Sequence, residues 1–160
     1  MYKKSKTGTI VVGVLLAGLC SVAASGANAA WQVAKDGGDT PRCYLKSSAQ
    51  KMQDGYRTIS VHAEIDGDNL TLVTPSNIDT TFSDLRIQVD RKEPISSTVL
   101  VGKQSVRFAI TPQTVNDMRK GKALNAYIRF WPTWPVTRAH PVSFSLRGFS
   151  AASKAIKNCS

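Results

Sequence analysis

Acidic residues are scarce in this chain. Its 160 residues hold 11 Asp and Glu against 21 Lys and Arg, and the only glutamates are Glu64 and Glu93. A glycosidase working through paired carboxylates is therefore a poor match. Histidine and cysteine are also few: His62, His140, Cys20, Cys43 and Cys159 are the whole set. None falls in a C-x-x-C or H-x-x-x-H spacing, which speaks against the common zinc frameworks. No Gly-x-Ser-x-Gly elbow is present, His62 alternates onto the polar face of a strand pattern, and His140 precedes Pro141 in a loop. The stretch Asp66-Gly67-Asp68-Asn69 lacks the spaced oxygen ligands and closing glutamate of a calcium loop, so it reads as a hairpin turn. Together these gaps predict a non-enzymatic chain with neither cofactor nor metal.

Long apolar runs are missing too. The stretch from Ile10 to Leu19 is too short to span a bilayer comfortably, and it follows a basic cluster of Lys3, Lys4 and Lys6. Ala27-Asn28-Ala29 then supplies small residues at the two cleavage-recognition positions. The pattern predicts a signal peptide over residues 1–29 and one domain over residues 30–160, with a periplasmic or secreted destination and outer-membrane association as one variant of it. Lipid attachment at Cys20 is disfavoured because Leu19 stands where a small residue is required. Without the three leader lysines the formal charge falls from +10 to +7. A basic exported domain can meet anionic surfaces such as lipopolysaccharide or phospholipid headgroups, or it can simply be soluble. With Cys20 removed, Cys43 and Cys159 remain, and an even count in an exported chain predicts one disulfide joining the two ends of the domain.

The remaining sequence alternates with period two. Trp31 to Ala34, Cys43 to Leu45, Ile59 to Ile65, Leu70 to Thr74, Leu85 to Asp90, Val99 to Val101, Ser105 to Ile110, Leu124 to Phe130 and Val142 to Leu146 all carry strand patterns. Ser47 to Gly55 is ambiguous between loop and helical turn. Two segments change to helical spacing. In the first, Thr111 is a cap, Pro112 takes the first helical position, and Gly121 ends the helix. In the second, Phe149, Ala152, Ser153 and Ile156 share a face after Gly148, with Ser150 as the expected cap. The expected fold is all-β, mainly an antiparallel sandwich or barrel-like domain of about seven to eight strands, with two short helices, one of them C-terminal.

Two surface features carry the candidate binding residues. Arg86, Arg107, Arg129 and Arg147 all alternate outward, and Arg107, Arg129 and Arg147 would make one basic face if their strands were neighbours. The alternative is an ordinary solvated face. The second feature is Trp131-Pro132-Thr133-Trp134-Pro135, with Tyr127, Arg129 and Arg138 close in sequence. Prolines stiffen this loop, and its tryptophans either bind a partner or fold back as a lid on the core.

An export leader, Trp31 opening the domain, Cys43 soon after, the helix-like Thr114-Val115-Asn116-Asp117-Met118-Arg119-Lys120-Gly121 and the ending Ser145-Leu146-Arg147-Gly148-Phe149-Ser150-Ala151-Ala152 resemble the invasion-associated locus B family of bacterial proteins. The family's further mid-chain cysteine pair, with its Gly-Cys step, is absent. The resemblance implies a small β-rich envelope protein, non-enzymatic, linked to host-cell invasion or envelope integrity, and it supplies no catalytic residues. The expected partner is an envelope or host-surface component, an anionic lipid, lipopolysaccharide or a protein, with no nucleic acid. A periplasmic inhibitor of a lysozyme-like hydrolase is the competing reading, against which the basic charge speaks.

Overall fold

The computed structural model describes residues 29–37, 41–133 and 138–159. Residues 1–28 of the expected leader, Cys20 among them, and Trp134 lie outside the described residues. The longest strand organises the rest. β4 (Thr58–Asp66) turns Ile59, Val61, Ala63 and Ile65 into the core and alternates partly exposed residues with them. Its length lets it hold three neighbours: β2 (Cys43–Ser47) and β3 (Gln50–Gln53) along one edge, and β5 (Asn69–Val73) along the other. The hairpin from β4 to β5 turns at Asp66-Gly67-Asp68-Asn69, as the spacing predicts. β1 (Trp31–Lys35) joins β2, and β9 (Ser105–Ala109) joins β5 and carries β8 (Val99–Leu100) outside it. These seven strands form one antiparallel sheet.

A second, four-stranded antiparallel sheet runs in the order β11 (His140–Ser145), β10 (Ala123–Ile128), β6 (Arg86–Val89), β7 (Ile95–Ser96). Leu124, Ala126 and Ile128 of β10 face inward beside Ile87, Val89, Val142 and Phe144, and meet Val61, Leu70, Leu72, Val106 and Phe108 of the larger sheet in one core. Period-two alternation on both sheets supplies this shared interior. The fold is thus mainly antiparallel β with two short helices, as the pattern predicts. It has eleven strands among the described residues, more than the expected seven to eight. β3 and β7 are the two that match none of the segments showing alternation: four and two residues long, they are set by their neighbours' ladders and too short to show a period of their own.

The first helix, α1 (Pro112–Lys120), begins as the sequence predicts. Thr111 accepts a hydrogen bond from the Thr114 amide, and the Thr114 hydroxyl accepts one from the Thr111 amide. Gly121 ends it, and a Cβ there would lie 2.9 Å from the carbonyl oxygen of Asp117.

The second helix, α2 (Phe149–Ala155), continues as a 3-10 turn over Ile156–Asn158. Its cap is Gly148, not the expected Ser150. Gly148 has φ 83°, and this left-handed residue swings the chain off β11 two residues earlier than a serine cap would. The helix then lies against β1. Phe149 meets Trp31 edge-on at 5.1 Å, while Trp31 Nε1 donates to the carbonyl of Ser145 at 2.9 Å. Ala30 donates to the carbonyl of Arg147, tying the two chain ends together through their backbones as well. Finally Cys159 pairs with Cys43 across a separation of 116 residues, as the cysteine count predicts.

Two outcomes follow from this closure. Replacing both Cys43 and Cys159 by Ala lowers stability by at most about 4–5 kcal/mol, the loop-entropy limit for so long a loop, and leaves the fold intact. Thermal melts with unchanged circular dichroism at low temperature check this. Gly148→Val is the harsher change, because φ is 83° and a β-branched side chain is strained in the left-handed region whatever space surrounds it. It should lower the melting temperature well beyond Ser150→Ala, and equal melting temperatures for these two variants would refute the junction.

Candidate binding site

The end of the sandwich where β10 finishes holds a linked set of polar and aromatic contacts. Beyond Ile128 the chain continues through Arg129 and Phe130, and the segment before β6 runs beside it. Phe130 forms an isolated bridge with Ile78, Asp79 donates its amide to the carbonyl of Arg129, and Trp131 donates to the carbonyl of Asn77. The backbone that presents Trp131 is therefore fixed by its neighbour.

Arg129 is the centre of this end. By alternation it points away from the core, as the sequence predicts, yet it is buried. The reason is a crossing segment that the pattern of β10 cannot reveal. Asp84 receives the guanidinium on both carboxylate oxygens, through Nε and Nη2, and Phe82 lays its ring 4.3 Å from Cζ. The Asp84 contact, outweighing burial, holds the Arg129 guanidinium above its ordinary range, with Asp79 contributing charge as well. The fork geometry matches a carboxylate in a way that Lys would not.

Two further carboxylates are spent on local bonds. Burial alone would raise the Asp79 carboxyl, but hydrogen bonds from the Thr133 hydroxyl and from Thr81, with the charge of Arg129, hold it below its ordinary value of 3.8. Asp54 behaves alike: the Ser76 hydroxyl and the amides of Arg57 and Tyr56 outweigh burial and lower it. His140 packs its ring 5.9 Å from that of Phe130. Burial, then Arg138, depresses its pKa below 6.5, with Asp54 opposing and Arg129 adding. Around these groups three aromatic side chains face solvent, Trp131 at 63 %, Tyr56 at 61 % and Phe82 at 47 % exposure.

The expected basic face does not form. Arg107 is exposed on β9 of the larger sheet, opposite Thr71 and Val99. Arg147 is exposed just past β11, where Leu146 donates to Lys122, at the far end of β10 from Arg129. Arg129 is committed to Asp84. Three side chains that alternate outward thus end on two sheets and at both ends of one of them, because strand order decides which strands are neighbours. Arg86 lies 3.9 Å above the Tyr127 ring, its cross-strand partner. The structure does bring Arg129, Trp131 and Arg138 to one end, where Trp131 is exposed and not a core lid. Phe82, Asp84, Asp79 and Thr133 belong to this end as well and carry no sequence signal beyond an aromatic residue in a turn-rich stretch. Among the described residues, no group of three His, Cys, Asp or Glu side chains is placed to hold a metal ion.

Removing the Asp84 charge should cost about 2 kcal/mol, the scale of a hydrogen bond to a charged group, so Asp84→Asn lowers the melting temperature at neutral pH. The pH response has two stages. His140 has a depressed folded pKa, so the unfolded chain binds protons first and stability falls as pH drops through 6.5. Asp54 and Asp79 add a second loss as pH falls below 3.8. Melting temperature against pH should show both, and His140→Gln should remove only the first.

Comparison with known proteins accords with this architecture. No curated protein matches the chain. The crystal structure of invasion associated protein b from Bartonella henselae is similar to it, with a TM-score of 0.56 and 19 % identity over 81 % of this chain and 92 % of that one. At this identity the likeness concerns the fold. The sequence itself is matched over residues 31–157 by the family model described as invasion associated locus B (IalB) protein, a span from Trp31 almost to the disulfide at Cys159. The chain belongs to the invasion associated locus B family.

Proposed function

We propose that this chain is an exported, non-enzymatic binding protein of the bacterial envelope, whose recognition surface is the Trp131 end of the sandwich. One observation carries the reading: Trp131 is 63 % exposed on a backbone held by hydrogen bonds to its neighbours. A large aromatic side chain left in water is costly unless something covers it, and a fixed one has less entropy to lose on binding. Tryptophan, tyrosine and arginine are the residues on which interfaces most depend. Phe82, braced on Arg129 two residues before Trp131, adds exposed aromatic surface to the same end, and Arg138 adds positive charge there.

Binding suits this end better than catalysis. Its carboxylates are already engaged, Asp84 by Arg129, Asp79 by Thr133 and Thr81, and Asp54 by Ser76. The leader-like residues 1–29 and a disulfide between the domain's ends fit an oxidising compartment, periplasmic or extracellular. The family's name ties its members to invasion, and a role in host-cell invasion or envelope integrity is part of the proposal. The partner is an envelope or host-surface component.

Trp131→Ala and Phe82→Ala should each weaken association with isolated envelopes about tenfold or more, the effect of losing a central aromatic anchor, with little change in melting temperature. Arg107→Gln, on the other sheet, should leave it unchanged. Sedimentation of the labelled protein with envelope fractions measures this. Equal binding by Trp131→Ala and the parent would remove the aromatic end as the recognition surface.

A further inference from the structure

At the other end of β10, away from Trp131, the two helices stand over the larger sheet and leave a crevice of about 180 Å³. Leu45 and Ile65 form its floor, Val115 of α1 one wall, and Phe149 and Ile156 of the second helical segment the other. Arg119 lies at its polar margin. Its Nε donates to the Ser153 hydroxyl at 3.0 Å, and that hydroxyl donates to the carbonyl of Ser150, so the guanidinium is fixed beside the apolar lining. None of the ion pairs among the described residues gives Arg119 a carboxylate partner. Lys154, adjacent to Ser153, and Lys157, one turn on, are exposed and add positive charge. Against them stand the two aspartates flanking Gly67, of which Asp66 is engaged by Arg42 and Asp68 adds one negative charge.

We propose that this crevice binds a single-chain fatty acid, with its hydrocarbon chain among Leu45, Ile65, Val115, Phe149 and Ile156 and its carboxylate on Arg119. Charge complementarity selects an anionic head, and a guanidinium already held through Nε offers its two terminal nitrogens as a fork for a carboxylate. The apolar walls are helix and sheet faces whose backbone groups are paired within their own elements. A peptide segment entering there would leave its own amides and carbonyls without partners, whereas a hydrocarbon chain has none to satisfy. The volume encloses only the part of a twelve-carbon chain nearest the carboxylate, the remainder leaving through the open mouth, and it excludes a two-chain lipid. Because this site lies apart from the Trp131 end, it stands or falls separately from the proposed recognition surface.

The test is titration of the full chain with laurate, read by calorimetry, alongside dodecanol as the uncharged analogue and vesicles of phosphatidylglycerol. Saturable laurate binding of one molecule per chain, with dodecanol at least tenfold weaker, is the expected result. Arg119→Gln should weaken laurate about tenfold, and Ile156→Trp, which fills the crevice, should abolish binding, both with unchanged melting temperature. Since Ile156 helps hold the C-terminal segment, Val115→Phe serves as a second filling variant if the first unfolds. Absent laurate binding, equal affinity for dodecanol, or full binding by the filled variant would each overturn the proposal. Vesicle binding without laurate binding would do so too, and would assign the interaction to the exposed lysines.

Discussion

The structure depends on the joining of its two ends. Trp31 is the first residue of the first strand, and Phe149 begins the last helix, yet their rings meet and both are buried. The Trp31 indole N–H, which would be costly to bury unpaired, reaches the carbonyl of Ser145. These contacts place α2 against β1, the edge strand of the larger sheet. The positive φ of Gly148 makes the approach possible, and the Cys43–Cys159 bond makes it permanent in an oxidising compartment. One aromatic pair, one glycine and one disulfide thus bind the last helix to the first two strands.

The opposite end is held by different physics. There the chain spends charge instead of apolar area: a buried guanidinium, a carboxylate gripping it in a fork, and two more carboxylates satisfied by hydroxyls and amides. Such a network is stable only when every member is satisfied, and removing one partner leaves the others unpaired in a poorly solvated place. Its value lies in precision. It fixes the backbone from Arg129 to Trp131 against the segment before β6, so exposed aromatic residues project from a rigid base. The fold is thus closed by apolar contact and a covalent link at one end and by a polar brace at the other.

Much of this was legible in the residues, for definite reasons. Period-two alternation located β4, β5, β9, β10 and β11 because one face of each is buried in a single core. Thr111, Pro112 and Gly121 marked α1 because capping is a local matter between a side chain and the next turn. The cysteine count gave the disulfide because only two cysteines follow the expected leader. The ending from Ser145 to Ala152 announced both the change from strand to helix and the family resemblance. In each case the physical cause lies within a few residues of the signal, or in a count that allows one answer.

What the sequence left open is what depends on neighbours distant in the chain. Alternation put Arg107, Arg129 and Arg147 on outer faces, but strand order separated them, and no property of an isolated strand encodes its place in a sheet. Alternation also made Arg129 a surface residue, whereas a crossing loop delivers Phe82 and Asp84 over it, a contact spanning 45 residues. The same holds for β3, four residues long, which is a strand because β4 is long enough to pair with it. Whether Trp131 is a lid or a projection was settled by where the segment around Asn77 lies, since that segment holds the backbone while leaving the ring outside. Local chemistry therefore determined the elements, the caps and the covalent link. The tertiary structure alone decided which charges meet, because electrostatic pairing is a matter of distance in space and burial is conferred by whatever else the fold brings across.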